Sequence, residues 1–442
     1  MRTPTANLLL WFLGLLPSAI FLVTSTETEW SSTAASLNTL GRLTGIAGLS
    51  FFLVAAMLSS RVPGFDRKFG GLTKLWFTHH QLAAVSFLLL LTHPLLLAFS
   101  GMTVSIDAGM SVLFPGSNPA PALIGWLALV VMMIFLAPSF AFFGEPRYQR
   151  WKFLHKLAGV ALVLALIHSF MLARQIHFLW QSILWSLYTG LALLAMLFRW
   201  GFSKRSWFER HGQLRYQVVG ASKPLSNVVE LELQSQPQQA RLAYEAGQFI
   251  YFTPFDNQLA AGYAEEHPYT ISSAPEEANL RIAVKDLGDS SRALQSIQIG
   301  SLVRVEGPYG AFFPSGDCTE SELWIAGGIG ITPFLSRARH LAAKAGKVDV
   351  HCILCVQDEA RALYHDELKN IADRLPGFVL TMHYFYREGA INTAFLQGHC
   401  PDFMGRSCYV CGPPPMLGCV QGILRSSGVP SKRIHTEEFN LL

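Results

Sequence analysis

Four histidines stand inside sequence otherwise suited to lipid: His79 and His93 in "WFTHHQLAAVSFLLLLTHP", and His155 and His168 in "WKFLHKLAGVALVLALIHSF". A neutral imidazole in hydrocarbon is costly unless its nitrogens are engaged, and a bound metal engages them directly. His79 and His93 are fourteen residues apart. On an ideal helix at ~100° per residue, that spacing brings them within about 40° of one face and ~21 Å apart along the axis, one near each leaflet. His155 and His168 repeat the pattern at thirteen residues. If both helices run the same way, His79 faces His155 and His93 faces His168. Two stacked haems, each held by two imidazoles, then satisfy all four side chains. Thirteen residues leave His155 and His168 roughly 140° apart on a regular helix. Either that helix is distorted, with Gly159 and Ser169 as candidate places, or its two rings approach their irons from different sides. His80 is the rival to His79 and is expected to face solvent or a propionate. Transport of a transition metal or of protons is the competing use of buried imidazoles.

Elements that can carry such residues are visible in the apolar runs. The chain has 442 residues, 51% hydrophobic and 14% charged, with positive mean hydropathy, which departs from an ordinary soluble enzyme. Six stretches before residue 200 can each cross a hydrocarbon core of ~30 Å: 7–24, 42–60, 76–100, 121–143, 153–173 and 178–198. The first has only Arg2 ahead of it and lacks a small-x-small cleavage site, so it reads as a retained helix and not as a cleaved signal peptide. Basic residues orient the bundle. Arg61, Arg67, Lys68 and Lys74 lie between the second and third stretches, Arg147, Arg150 and Lys152 between the fourth and fifth, and Arg199, Lys204, Arg205 and Arg210 after the sixth. The first and third loops have none, and Arg174 alone follows the fifth stretch. Both termini are therefore expected in the cytoplasm, with everything beyond residue 200.

Cysteine usage agrees with that sidedness. All seven cysteines, Cys318, Cys352, Cys355, Cys400, Cys408, Cys411 and Cys419, fall in the expected cytosolic half, where thiols stay reduced. Cys352 and Cys355 sit within "VDVHCILCV", which alternates as a buried strand and argues against a redox or metal role. The net charge of +4 follows from the inside loops and carries no nucleic-acid signal.

Beyond residue 210 the runs become short, alternating and β-branched, as in "QLRYQVVG" and "NVVELELQSQ", with turn residues between them to about 315. This predicts a small antiparallel barrel. From "ELWIAGGIGITPF" the pattern changes to strand, glycine turn and helix, with further strands at "VDVHCILCV", "FVLTMHYF" and "SCYVCG", which predicts a doubly wound α/β domain. In that first turn, Gly327, Gly328 and Gly330 let the main chain approach a pyrophosphate. Thr332 and Pro333 begin a helix whose free N–H groups favour phosphate. The expected division is 1–205 as a six-helix transmembrane domain binding two haems, 206–318 as an FAD-binding β-barrel, and 319–442 as an NAD(P)H-binding α/β domain.

Several segments recur in a fixed order: "YEAGQF", "HPYTISSAP", "VKDLGDSSRAL", "VEGPYG", "CGPPPM" and the terminal "EEFNLL". With the paired histidines they resemble the ferric reductase and NADPH oxidase superfamily, in particular prokaryotic NADPH oxidase-like proteins, whose cytosolic half resembles ferredoxin–NADP reductase. The resemblance covers essentially the whole chain. It implies that His267, Pro268, Tyr269, Thr270, Ser272 and Ser273 form the flavin motif, with the aromatic ring against FAD and the hydroxyls reaching its ring and ribityl atoms. It implies a nearby cofactor contact at Lys285, a diphosphate contact at Gly288 and Ser291, and a nicotinamide-nucleotide phosphate loop at Gly327, Gly328, Gly330, Thr332 and Pro333. Cys411, Gly412 and Pro413 match the strand end beside the nicotinamide, and Phe439 the aromatic that shields the flavin ring, although docking of an apolar tail would also place a phenylalanine there. Cys411, Phe439, Thr270 and Arg42 are the residues expected nearest the chemistry. Arg42, at the outer end of the second span, is expected beside a propionate or a reduced product, or else to snorkel to the interface.

The function so implied is transfer of electrons from NADPH or NADH through FAD and two b-type haems (His79, His93, His155 and His168 as ligands) to an acceptor outside a bacterial inner membrane. Two departures bear on its details. After the second strand of the nucleotide domain stands Gln357, with Arg361 and Arg387 only nearby, so the signal for NADPH is weak. Leu97 stands where eukaryotic oxidases carry a further outer histidine, a departure that bears on oxygen reduction and not on electron transfer itself. The outer loops are short and poor in basic residues, which disfavours a large anionic ferric chelate and leaves oxygen, giving superoxide, ahead of ferric iron or an extracytoplasmic redox protein. A metal or proton carrier with a nucleotide-binding tail is the reading of another class.

Overall fold

The computed structural model describes residues 3–62, 64–114, 116, 120–139, 148–172, 179–200, 213–237, 239–314, 320–344 and 346–437. Arg2, Arg147, Arg174, Lys204, Arg205, Arg210, Cys318 and Phe439, named above, lie outside those residues. The chain divides into two compact units, one of residues 1–61 and 75–202, the other of 62–74 and 203–442.

The first unit is helical: α1 (Thr3–Thr24), α2 (Thr33–Leu58), α3 (Leu72–Met102), α4 (Ile106–Leu113), α5 (Ala120–Leu136), α6 (Tyr148–His155), α7 (Leu157–Met171) and α8 (Leu179–Trp200). Six helical spans among the described residues are long and apolar enough to cross a membrane. They carry outward-facing apolar side chains such as Phe12, Leu88, Phe170 and Leu194, which water would not tolerate in such number and lipid does. Several polar groups inside are engaged by main-chain carbonyls of neighbouring helices. Ser86 donates to the Gly48 carbonyl at 2.7 Å and Tyr188 to the Leu13 carbonyl at 2.8 Å. The fifth span is two helices, interrupted at Lys156, whose N–H bonds to the Phe153 carbonyl in a 3.2 Å turn.

The second unit contains two sheets. β1 (Gln213–Leu225), β2 (Val228–Ser235), β3 (Phe249–Pro254), β4 (His267–Thr270), β5 (Leu280–Lys285) and β6 (Leu302–Tyr309) form an antiparallel sheet of order β4-β3-β6-β1-β2-β5. Ile271, just past β4, bridges Ile282 on β5, so the two ends of the order meet and the sheet curls closed. Alternate residues of its strands, among them Val218, Leu231, Phe252 and Val305, fill the interior. A short helix α9 (Asp289–Ala293) follows β5.

β7 (Glu322–Gly327), β8 (Val350–Val356), β9 (Phe378–Tyr384), β10 (Ser407–Cys411) and β11 (Ile434–Glu437) form an all-parallel sheet of order β11-β10-β7-β8-β9. Helices α10 (Thr332–Lys344), α11 (His365–Arg374), α12 (Phe385–Glu388), α13 (Thr393–His399) and α14 (Pro414–Ser426) connect the strands. On β7, Trp324 and Ala326 enter one apolar cluster while Leu323 and Ile325 enter another on the opposite face, as a sheet covered on both sides requires. Cys352 and Cys355 divide the same way and point to opposite faces. The fold class read from the sequence is the one observed: an apolar helical region, a curled antiparallel sheet and a doubly wound α/β domain.

Residues 62–74, read above as a basic connector between two spans, are part of the second unit. The Gly310 N–H donates to Asp66 Oδ2 at 2.9 Å, and Arg67 pairs with Glu245 at 3.0 Å.

Candidate functional sites in the two units

Within the first unit the four histidines come together in pairs. The ring centres of His79 and His155 are 6.2 Å apart, and those of His93 and His168 are 6.3 Å apart. Three rings have their Nδ1 turned to main-chain carbonyls: His79 donates to Ala55 at 2.9 Å, His93 to Gly41 at 2.7 Å and His168 to Pro121 at 2.7 Å. Each of these bonds fixes the tautomer and leaves Nε2 as the available lone pair. The fourth differs. His155 Nδ1 is buried without a hydrogen bond, and its ring lies between Trp151, stacked at 5.0 Å, and the edge of Phe135 at 5.4 Å.

Two glycines make room for these rings. A Cβ on Gly45 would sit 2.8 Å from His93 Nδ1, and one on Gly125 would sit 2.7 Å from His168 Cε1. The break at Lys156 accounts for the thirteen-residue spacing: His155 ends α6 and His168 lies in α7, so no single regular helix sets their angle. The distortion is centred on Lys156, whose carbonyl accepts the Gly159 N–H at 3.2 Å, and Ser169 lies away from it. His80 is exposed, with its ring 5.7 Å from that of His79. Arg42 pairs with Glu29 at 2.5 Å and lies over the Phe21 ring at 4.9 Å, while Leu97 packs where a Cβ on Gly41 would stand.

In the second unit the sequence-predicted residues fall at two edges. β4 carries His267 to Thr270 beside β3, and Tyr269 meets Phe252 edge-on at 6.0 Å. Burial holds the Tyr269 phenol well above its ordinary range. Thr270 Oγ1 and Ser272 Oγ are buried with no hydrogen-bond partner, an arrangement that costs ~1–3 kcal/mol per group unless something outside the chain completes it. Ser273 is already used, since its Oγ accepts the Arg281 N–H at 3.0 Å and meets the Tyr244 hydroxyl at 2.8 Å. The Ser291 hydroxyl accepts the Leu287 and Gly288 N–H groups, both at 2.9 Å. It therefore shapes the turn before α9 in addition to any contact it makes outward.

The glycine turn lies where the parallel sheet reverses its strand order, between β7 and β10, which is where open α/β sheets bind ligands. A Cβ on Gly330 would stand 2.5 Å from the Cys411 carbonyl oxygen, and one on Gly327 would stand 2.6 Å from Met416 Sδ and 3.0 Å from Pro413 Cδ. Gly328 has φ +56, and a Cβ there would lie 4.0 Å from Lys285 Nζ. Thr332 donates to the Ile329 carbonyl at 3.0 Å and opens α10. The structure thus gathers Lys285, the turn 327–333 and Cys411 to Pro413, with Met416 a packing residue that composition alone did not single out. Burial first, and Glu437 second, hold the Cys411 thiol well above its usual value, so it is a neutral thiol. Burial also pushes Cys355 up to about 12. Near the end of β8, Arg361 is paired with Asp358 and lies over Tyr386, and Arg387 is paired with Glu359 and Glu388 and lies over Tyr384. Their charges are balanced locally, and Gln357 is no cation.

Three family profiles match the chain in succession: "Ferric reductase like transmembrane component" over residues 44–166, "FAD-binding domain" over 213–312 and "Oxidoreductase NAD-binding domain" over 324–422. A glycine betaine monooxygenase reductase subunit of Chromohalobacter salexigens is 30% identical over 192 residues, covering 40% of this chain and 52% of its own. The ferredoxin reductase component of a 3-ketosteroid-9-alpha-monooxygenase from Mycolicibacterium smegmatis is 29% identical over 208 residues, 46% of this chain and 57% of its own. The chain thus spans about half the length of the curated relatives it matches. Among solved structures, the flavohem-like FAD/NAD-binding domain of nitric oxide dioxygenase from Vibrio cholerae superposes at a TM-score of 0.45 with 22% identity, covering 51% of this chain and 98% of that one.

Proposed function

We propose, from the premise that this chain has the ferric reductase and NADPH oxidase-like architecture and is an NAD(P)H-dependent flavin oxidoreductase, that it carries electrons across a membrane to an acceptor on the far side through FAD and two b-type haems. The pairing of His79 with His155 and of His93 with His168 is the observation that carries this reading. A metal held at ~2 Å by one nitrogen of each ring would leave the two ring centres about 6 Å apart. The observed separations of 6.2 and 6.3 Å fit that arrangement. Two imidazoles alone do not complete the coordination of an iron, and a porphyrin would supply the remaining donors. When bound, FAD converts a two-electron donor into single electrons and haem iron relays them.

The chain's own residues have distinct tasks in this reading. The carbonyls of Ala55, Gly41 and Pro121 hold three imidazoles in the tautomer that presents Nε2. Thr270 and Ser272 would offer hydroxyls to the flavin and Tyr269 would pack on it; the shielding aromatic expected at Phe439 lies outside the described residues. The glycine turn and the first N–H groups of α10 take the nucleotide diphosphate, and Lys285 adds a cation beside Gly328. The neutral Cys411 and the strand end after it bring the nicotinamide close without adding charge. The Arg42 charge is balanced by Glu29, as those of Arg361 and Arg387 are by their own carboxylates, so no anion is assigned to it. Oxygen, giving superoxide, is the acceptor the short outer loops favour. The relatives, named as reductase subunits of oxygenases, support a second reading in which the electrons go to a protein partner.

Anaerobic stopped-flow spectroscopy of the purified full chain with NADPH or NADH is the test, with superoxide and ferrous products measured separately on admission of oxygen. Flavin bleaching followed by a haem Soret shift is the expected result. A preparation rich in flavin but colourless in the Soret region after porphyrin supplementation would remove the transmembrane half of the proposal.

A further inference from the structure

Helix α10 begins at the glycine turn, and its second and third turns grip the segment that follows Thr270. Ser336, fully buried, donates to the Ser273 carbonyl at 2.7 Å. Arg339 donates from Nη1 to the Ser272 carbonyl at 2.9 Å, and His340 Nδ1 lies 3.0 Å from Glu276 Oε2. Arg339 is itself held. Its Nε and Nη2 make a two-point contact with Glu367 on α11 at 2.6 and 2.8 Å, and its Nη1 lies 3.6 Å from Glu230 on β2. Glu230 also accepts the Tyr364 hydroxyl and lies 3.8 Å from Arg281 on β5. Side chains of Arg339 and Glu230 are each only 9% exposed, so the charges are far from solvent screening. Tyr364 adopts φ 58, an unfavourable conformation for a residue with a side chain, and its hydroxyl contact with Glu230 is made from that conformation.

The cluster joins four elements that belong to different halves of the second unit: strands β2 and β5 of the curled sheet, and helices α10 and α11 of the parallel one. One helix thus presents its first turn to the nucleotide diphosphate and its middle to the loop that carries the flavin hydroxyls. Resting on the reading of this unit as the place where NAD(P)H reduces the flavin, we propose that Arg339, backed by Glu367 and Glu230, is a positioning residue that sets the spacing between the phosphate turn and the flavin loop. Ser336 is its partner in that task. A guanidinium suits the task because its planar fork satisfies a carboxylate and a carbonyl at fixed angles, which an ammonium cannot do. An error of ~1 Å in such a spacing can cost ~10²-fold in rate without changing how tightly either partner binds.

The experiment uses the full chain in nanodiscs and compares wild type, Arg339→Lys, Ser336→Ala and Glu367→Gln. Bound FAD, unfolding temperature, the KM for NADH and NADPH, the saturated rate of flavin bleaching, and hydrogen exchange of the amides of 272–274 and 276 are measured for each. In Arg339→Lys the saturated bleaching rate should fall ~10- to 100-fold, with FAD retained and KM within about threefold. The amides of Ser272, Ser273, Ala274 and Glu276 should exchange faster in both Arg339→Lys and Ser336→Ala, a change that needs no turnover to be seen. An unchanged saturated rate with a lowered unfolding temperature would make the cluster mere adhesion. A raised KM at unchanged rate would make Arg339 a nucleotide contact. Either result overturns the proposal while the electron-transfer reading stands. If neither nucleotide bleaches the wild-type flavin, both fall together.

Discussion

Single residues decide whether each imidazole pair can hold a metal. His168 has its Nδ1 committed to the Pro121 carbonyl and its partner ring 6.3 Å away. His168→Ala should therefore lower bound haem by about half while leaving flavin content and flavin bleaching unchanged, read from pyridine-haemochrome and flavin assays on one preparation. Gly45→Val tests the same site without touching a ligand. Its first added carbon would fall 2.8 Å from His93 Nδ1, so the ring must move and its bond to the Gly41 carbonyl must lengthen. Loss or broadening of one haem band, with the other intact, is the expected spectrum.

A second residue-scale prediction concerns pH. Burial first, and neighbouring Asp66 second, push the Glu437 carboxyl up to about 8, and burial raises Asp66 as well. Glu437 Oε2 and Asp66 Oδ1 are both buried without a hydrogen-bond partner on either side of Gly310. A carboxyl whose pKa rises on folding stabilises the native state fully at pH values below its unfolded pKa, and that contribution is lost as pH climbs through the folded value. The unfolding temperature of the second unit should therefore fall between about pH 5 and 8, by a few degrees. Glu437→Gln should flatten that slope.

At the scale of elements, the fifth span shows where reading by periodicity reaches its limit. The four histidines, their depths and their pairing are legible because intramembrane imidazoles are rare and their spacing fixes height. The angle between His155 and His168 is not legible, because the interruption at Lys156 has no proline and no glycine at its position, only Gly159 three residues on. The break also assigns the two ligands to separate helices. Inserting one alanine within α7 between Leu157 and His168 would restore fourteen residues, yet it should turn His168 away from His93 by ~100° and lose the outer haem, as measured by haem-to-protein stoichiometry. The glycine turn was legible for the opposite reason, since Gly327 to Gly330 and Cys411 meet at the reversal of strand order that any doubly wound sheet must contain. Arg339 was not legible. On its helix it reads as one more basic residue, and only the folded chain brings Glu367, Glu230 and the Ser272 carbonyl to it.

For the whole molecule, the succession of helical bundle, curled sheet and parallel sheet followed from hydropathy and periodicity, because each obeys its own repeat. Membership of residues 62–74 in the second unit did not. "RVPGFDRKFGGLTK" reads as an ordinary basic connector, and Asp66 gains its meaning from Gly310, 244 residues away. A chain cut to begin at 206 would lack this segment and leave the Gly310 N–H without its carboxylate. Such a fragment should unfold several degrees below the second unit of the intact chain and lose FAD more readily on dilution, as followed by flavin fluorescence.

The order of synthesis gives that segment a further significance. Asp66 leaves the ribosome long before Gly310 is made, and four of the spans are threaded into lipid in the interval. Its resting place therefore does not exist while the bundle is being inserted, and the second unit can be completed only after the last strand has been translated. A chain stalled short of that point would leave the Asp66 carboxylate without the Gly310 N–H.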